Sequence, residues 1–415
     1  LVPMRKIFEA IGADIDWNDE TQTVVGKKEN RIIKIKIGSE KATIGSEIVM
    51  LDQPAVLVND RTMVPLRFIM ENFGFDVEWS DEDQMVTITG SELNQDPTSV
   101  KPGEDFWIAE LSDSVERVDV SYKNRYGIEL AGELYTPKGL NKSVKNAAVV
   151  IGAPYGGVKE QGPCVYANEL AKRGFVVLTF DPSFNGESGG EPRHVSSPDI
   201  FTEDFSAGVD YLGTLDYVDR EKIGAIGICG SGGFALSAAA VDTRIKAVVT
   251  ASMYDMSYAA RAGQTPEQLA ATKERLSLQR WKDAENGYPE YIPSFPEEPT
   301  QNIPDEMQGI WREFYEFYAT KRGHHPNARG GFTTTSDLSF INYPLLHYID
   351  EISPRPVLFI VGEQAESRFF SDVAYAKAAE PKEMLVVPDS NHVDLYDDAT
   401  KIPFDKIESF FKINL

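Results

Sequence analysis

KIGAIGICGSGGFALSAAA, residues 222–240, decides the fold. It reads as a buried apolar strand, a glycine-rich corner and a helix of small residues. Such a corner can hold a nucleophile on strained backbone at a helix N-terminus, in the pattern G-x-Nuc-x-G. Small flanking residues are needed because strand and helix nearly touch there. Two registers fit. Gly227-Ile228-Cys229-Gly230-Ser231 puts Cys229 at the tip, with Ser231 replacing the second glycine. Cys229-Gly230-Ser231-Gly232-Gly233 puts Ser231 at the tip instead. KIGAIG ends two residues before Cys229, the helix begins on schedule at Phe234, and a cysteine in the first glycine slot would crowd the strand–helix contact. Cys229 is therefore the preferred nucleophile and Ser231 the alternative. The N–H of Gly230 then faces a substrate oxyanion.

Outward from the corner, strands and helices alternate. VERVDVSY (115–122) and ELAGELYTP (129–137) read as an opening antiparallel hairpin. AAVVIGAP (147–154), GFVVLTFD (174–181), IKAVVTAS (245–252) and PVLFIVGE (356–363) are short buried strands. PCVYANELAKR (163–173) and FTEDFSAGVDYLGTL (201–215) are helical. This rhythm predicts an α/β domain over 115–415 with a doubly wound, mostly parallel sheet. From about 256 to 349 the beat stops, and Trp281, Trp311 and many Tyr, Phe and Pro residues appear. An insertion there lies over the carboxyl ends of the strands and is expected to form a helical lid.

The remaining candidates follow from chain order. GAPYGGVKEQ (152–161) is the loop expected to supply a second oxyanion N–H, from Tyr155, with Lys159 and Glu160 in structural roles. VVPDSNHVDLYDD (386–398) places His392 after a terminal strand and before the last helix, where a general base belongs. The loop after PVLFIVGE carries Glu366 as the expected acid, with Glu363 and Asp255 (in SMYDMS, 252–257) as alternatives. A thiolate beside a histidinium at a helix N-terminus is expected to titrate well below a free thiol. His194, His324, His325 and His347 are weaker candidates, and no HExxH spacing exists, so no metal site and no cofactor are expected.

The first ninety residues have another grammar, with an internal repeat. VPMRKIFEAIGADIDWNDETQTV (2–24) matches VPLRFIMENFGFDVEWSDEDQMV (64–86), with Pro3/Pro65, Arg5/Arg67, Gly12/Gly74 and Trp17/Trp79 all 62 positions apart. Each copy reads as a Pro-opened helix stopped by Gly, then a strand bearing Trp. IIKIKIGSEKATIGSEIVM (32–50) alternates like hairpin strands between them. A small α+β domain over 1–90, a linker over 91–114 containing SELNQDPTSVKPGED, and the catalytic domain from 115 are the expected divisions.

These motifs carry two resemblances. The repeated VP(M/L)R…G…(D/E)W resembles the copper-amine-oxidase N-terminal-like, or stalk, domain of bacterial surface proteins. It implies export by a Gram-positive-type bacterium and a possible cell-wall or surface partner. Copper is not implied, because this segment contains neither His nor Cys. GAPYGGVKEQ, FDPSFNGESGGEP, GICGSGGFA and NHVDLYD resemble the dienelactone-hydrolase-like branch of the α/β-hydrolases. That resemblance implies cofactor-free hydrolysis of an ester, thioester or lactone by a Cys–His–acid triad, acting on a small acyl substrate. An acyltransferase, or an inactive surface-binding protein on the same fold, is the alternative. The net charge of −24 argues against nucleic acid, and no apolar run is long enough to span a membrane. Two cysteines, Cys164 and Cys229, exclude a disulfide framework but leave one bridge open. Neither a charged n-region nor an apolar h-region follows Leu1, so the expectation of a secreted or cell-surface protein rests on the stalk resemblance.

Overall fold

The computed structural model describes residues 106–415 except 305, and within the first 105 residues the stretches 2–3, 14–18, 21–28, 31–44, 47–51, 53–58, 61–73, 76–80 and 85–89. The chain forms two compact units, Leu1–Thr98 and Ser99–Leu415. In the first, strands Asp14–Asn18, Thr23–Lys28, Arg31–Lys36, Lys41–Ile44 and Glu47–Met50 make an antiparallel sheet in chain order. The second copy of the repeat opens at Pro65, runs as helix Leu66–Asn72 and continues as strand Asp76–Ser80, paired with Met85–Thr89. Pro65 has φ −64°, the value its ring imposes, which suits the residue leading into a helix. In the first copy the Trp17 strand is present, whereas the expected helix lies outside the described residues. So does most of the linker. Val24, Ile33, Ile35, Val64, Ile69 and Phe73 form the core of this unit.

The second unit is built on eight strands. These are β1 (Val115–Lys123), β2 (Glu129–Pro137), β3 (Asn146–Gly152), β4 (Val176–Phe180), β5 (Val218–Ile228), β6 (Ile245–Ala251), β7 (Val357–Gly362) and β8 (Lys382–Val387). Their spatial order is β1-β2-β4-β3-β5-β6-β7-β8. β1 and β2 pair antiparallel and β2 meets β4 antiparallel, while every pairing from β4 through β8 is parallel. Parallel strands covered on both faces read as unbroken apolar runs. Every residue of β4 and β7 is accordingly buried. Helices Gly162–Lys172 and Phe404–Asn414 carry side chains into the core on one face. Pro198–Thr214 and Ser231–Val241 do so on the other. This is the α/β architecture expected from the alternation.

Between β6 and β7 stand helices Met256–Ala259, Pro266–Asn286, Gly309–Tyr318 and Asp337–Asn342, joined by long irregular segments. Among the described residues no helix is long and apolar enough to cross a membrane.

Candidate active site

β5 ends at Ile228, and Cys229 follows with φ +53°, a left-handed conformation costly for any residue but glycine. The chain then enters the helix Ser231–Val241 through Gly230. A Cβ on Gly227 would lie 2.2 Å from the Ser231 carbonyl oxygen and 2.6 Å from the Gly232 Cα, so strand and helix touch at Gly227. Ser231 is the first helical residue rather than the corner. Its Oγ stands 2.8 Å from where a Gly152 Cβ would be, beneath the end of β3.

Gly230 packs on the loop after β3. A Cβ there would meet the Tyr155 Cβ at 2.7 Å, so only glycine lets the two backbones approach. The backbone N–H groups of Gly230 and Tyr155 favour the thiolate form of Cys229 and so partly offset the upward push of burial on its pKa. The Tyr155 ring is fixed by stacking on Phe332 at 4.3 Å, and its hydroxyl lies 2.6 Å from Ser196 Oγ.

The same loop is held by a buried charge cluster. Lys159 Nζ donates to Glu160 (2.5 Å), Glu187 (2.7 Å) and Asp181 (3.1 Å). Asp181 also accepts the backbone N–H groups of Lys159 and Glu187, both at 2.8 Å. Oxygens of Glu160, Asp181 and Glu187 lie within 4.8 Å of one another, a spacing that suits a metal ion, and the Lys159 ammonium is the cation they hold. Burial, and then the Asp181 charge, push the Glu160 carboxyl up to about 8. Cys164, on the adjoining helix, donates its thiol to the Glu160 carbonyl, and both cysteines are free.

His392 is fully buried in the loop after β8. Its backbone carbonyl accepts from Ser252 Oγ at 2.8 Å, and its N–H donates to Glu313 at 2.9 Å. Glu313 belongs to the lid helix Gly309–Tyr318, which also lays Phe314 edge-on against the imidazole, ring centroids 5.3 Å apart. The ring nitrogens have two partners. Nδ1 is bonded to Ser367 Oγ, and Nε2 lies 2.9 Å from the Tyr396 hydroxyl.

None of the three carboxylates expected at the imidazole reaches it. Glu366 is exposed and accepts the Ile310 N–H at 3.1 Å, at the start of the lid helix. Glu363 is exposed beside the Asp389 N–H. Asp255 caps helix Met256–Ala259 by accepting from Ser257 and Tyr258. The reason is side-chain direction: along the turn after β7, Glu366 points to solvent and the next residue, Ser367, points inward. Sequence reasoning passed over Ser367, Glu313 and Tyr396. Tyr396 alone had a signal, since it stands one helical turn after His392.

Burial pushes the Cys229 thiol up to about 11 and the His392 imidazole down to about 3, both in the direction that opposes the expected thiolate–histidinium pair. A neutral imidazole needs its tautomer fixed, and Ser367 is placed to fix it. Ser367→Ala is expected to lower turnover of a p-nitrophenyl ester by about 5–100-fold, the cost of orphaning a buried hydrogen-bonding atom. Glu366→Ala should change it by less than about threefold, because its carboxylate faces the lid backbone. The reverse ranking in a steady-state assay would show that Glu366 swings in during catalysis.

Comparison with known proteins agrees with this architecture. Residues 1–88 match the copper amine oxidase N-terminal domain, and residues 152–402 match the alpha/beta hydrolase family. The uncharacterized protein PA2218 of Pseudomonas aeruginosa is 52% identical over 316 residues, covering 74% of this chain and 82% of that protein. Its crystal structure superposes with a TM-score of 0.72 over 76% of this chain and 99% of its own. The uncharacterized protein YcjY of Escherichia coli is 36% identical over 286 residues, 68% of this chain and 92% of that protein. The thiohydrolase aneE of Aspergillus aculeatus is 26% identical over 281 residues, 66% of this chain and 86% of that protein.

Proposed function

This chain belongs to the alpha/beta hydrolase family, and on that premise we propose that its second unit cleaves ester, thioester or lactone acyl bonds through a covalent intermediate on Cys229. The observation that carries the reading is the Cys229 thiol on left-handed backbone, facing the N–H groups of Gly230 and Tyr155. Sulfur attacks the acyl carbon, and the carbonyl oxygen, as it gains charge, takes over those two N–H donors. His392 receives the thiol proton and returns it to the leaving group, and water then releases the acyl group. The likeness to a thiohydrolase supports including thioesters.

Quenching a reaction with S-phenyl thioacetate in acid and digesting the protein tests this. One acetyl group is expected on the Cys229 peptide and none on the Ser231 hydroxyl. An acetylated Ser231, or turnover with no acyl-enzyme at any time point, would overturn the assignment.

For the first unit we propose attachment to a cell-wall or surface component outside the cytoplasm, supported by its match to the domain family recorded over residues 1–88. The full chain is expected to sediment with a bacterial cell-wall preparation, while a variant lacking residues 1–98 remains in solution with its ester turnover within about twofold. Equal sedimentation of both proteins would remove this role.

A further inference from the structure

Two consecutive residues of the lid helix Gly309–Tyr318 close on the base, and they hold different parts of it. Phe314 covers the ring, lying edge-on to the imidazole with centroids 5.3 Å apart. Glu313 reaches the backbone, where one carboxylate oxygen accepts the N–H groups of His392 at 2.9 Å and of Val393 at 3.4 Å. The His392 carbonyl in turn accepts from Ser252 Oγ, just past β6, at 2.8 Å. Both peptide units flanking His392 are therefore held by elements remote from it in the chain. A carboxylate accepts backbone N–H groups more strongly than a neutral oxygen does. Burial pushes the Glu313 carboxyl up, the two N–H groups favour its charged form, and the charges of Asp394 and Glu366 oppose it. The helix is seated at both ends. The Ile310 N–H donates to Glu366 at 3.1 Å, and Arg322, four residues beyond Tyr318, donates to Asp397 at 2.8 and 2.7 Å.

We propose that Glu313 is a positioning residue: with the lid docked, its carboxylate fixes the backbone of His392 and thereby the place of the imidazole. This rests on the reading of His392 as the base. Ser367 and Tyr396 engage the ring nitrogens, but where the ring stands follows from its own Cα, and that is what the Glu313 and Ser252 bonds anchor. Proton transfer requires heavy atoms within hydrogen-bond reach, and a misplacement of about 1 Å costs about 10²-fold in rate. Cover and anchor come from one turn of one helix, so the base is fully placed only while the lid is docked. Glu313 exchanges no proton in this role and acts wholly through His392.

The test compares Glu313→Ala, Glu313→Asp and Glu313→Gln in the full chain. Glutamine keeps an oxygen where the two N–H groups arrive, alanine removes it, and aspartate keeps the charge but draws the oxygen back by one methylene. In Glu313→Ala, kcat for p-nitrophenyl acetate is expected to fall by about 10–100-fold with KM within about threefold, because placement of the base is lost rather than substrate binding. Glu313→Gln should recover to within about fivefold of wild type, since a neutral oxygen accepts the same bonds more weakly. Glu313→Asp should fall with alanine, because the backbone needs reach before charge, and this variant serves if the alanine protein fails to fold. Glu316→Ala removes a carboxylate from the same helix that is paired with Arg312 at 2.9 Å, and should match wild type. A readout without substrate comes from the imidazole nitrogen resonances of protein carrying isotope-labelled histidine, one of five being His392 and identified by its loss in His392→Ala. That resonance should move in Glu313→Ala and Glu313→Asp and stay in place in Glu313→Gln and Glu316→Ala. A kcat within about threefold of wild type in both Glu313→Ala and Glu313→Asp, a loss confined to KM, a glutamine variant as slow as alanine, or an unmoved His392 resonance would each overturn the role. Wild-type turnover in His392→Ala would instead overturn the base on which it rests.

Discussion

Cys229→Ala is expected to lower acyl-bond cleavage by about 10⁴–10⁶-fold, the loss typical when a covalent nucleophile is deleted. Ser231→Ala should stay within about threefold of wild type. The difference follows from the corner. Cys229 is at φ +53°, exposing its thiol to the N–H groups of Gly230 and Tyr155, whereas Ser231 begins the helix with Oγ directed under Gly152. Cys229→Ser keeps the geometry but substitutes a hydroxyl that the neutral imidazole must deprotonate against a higher pKa, so partial activity is expected there. Steady-state kinetics on a p-nitrophenyl ester and a thioester decide it. An inactive Ser231→Ala beside an active Cys229→Ala would show that the register of the corner is shifted by two residues.

The largest stability effect should come from Lys159→Met. One ammonium, itself 2% exposed, serves Glu160, Asp181 and Glu187. Removing one member of a buried ionic cluster costs about 3–5 kcal/mol, because the opposing charges are left without compensation. In a unit of this size that is a fall in melting temperature of about 4–8 °C. The sign of the pH dependence is fixed by Glu160. Its folded pKa of about 8 lies above that of the unfolded chain, so the folded state holds an extra proton in between, and stability is lost as pH rises through about 8. Without Lys159 the repulsion grows, so the deficit should widen at alkaline pH and narrow under mild acid, where the carboxylates can protonate. Turnover should also fall, since Asp181 ties the Lys159 backbone in the loop that carries Tyr155. Calorimetry of both proteins at mildly acidic and mildly alkaline pH reads the effect. An unchanged melting temperature would show that Lys159 is not the counter-charge of the cluster.

The sheet was legible in the sequence because parallel strands buried on both faces must be apolar throughout. AAVVIGAP covers all but the first residue of β3, and GFVVLTFD and PVLFIVGE contain β4 and β7, for that reason. The corner was legible because steric demand selects residue type: Gly227 has no room for a Cβ. The lid was legible as a loss of rhythm between β6 and β7. What surrounds the imidazole was not legible. Glu366 and Ser367 are neighbours in an irregular turn, and no periodicity tells which of them points inward. Lys159 could be read only as a candidate for an ion pair, since two of its three partners come from the loop after β4 and meet it by folding. The sequence by itself determined the scaffold and the tight corner after β5, because burial and steric demand act on each residue locally. Only the tertiary structure decided that Ser367 and Tyr396, rather than a carboxylate and the thiol, hold the two nitrogens of His392, because hydrogen bonding depends on direction across loops far apart in the chain.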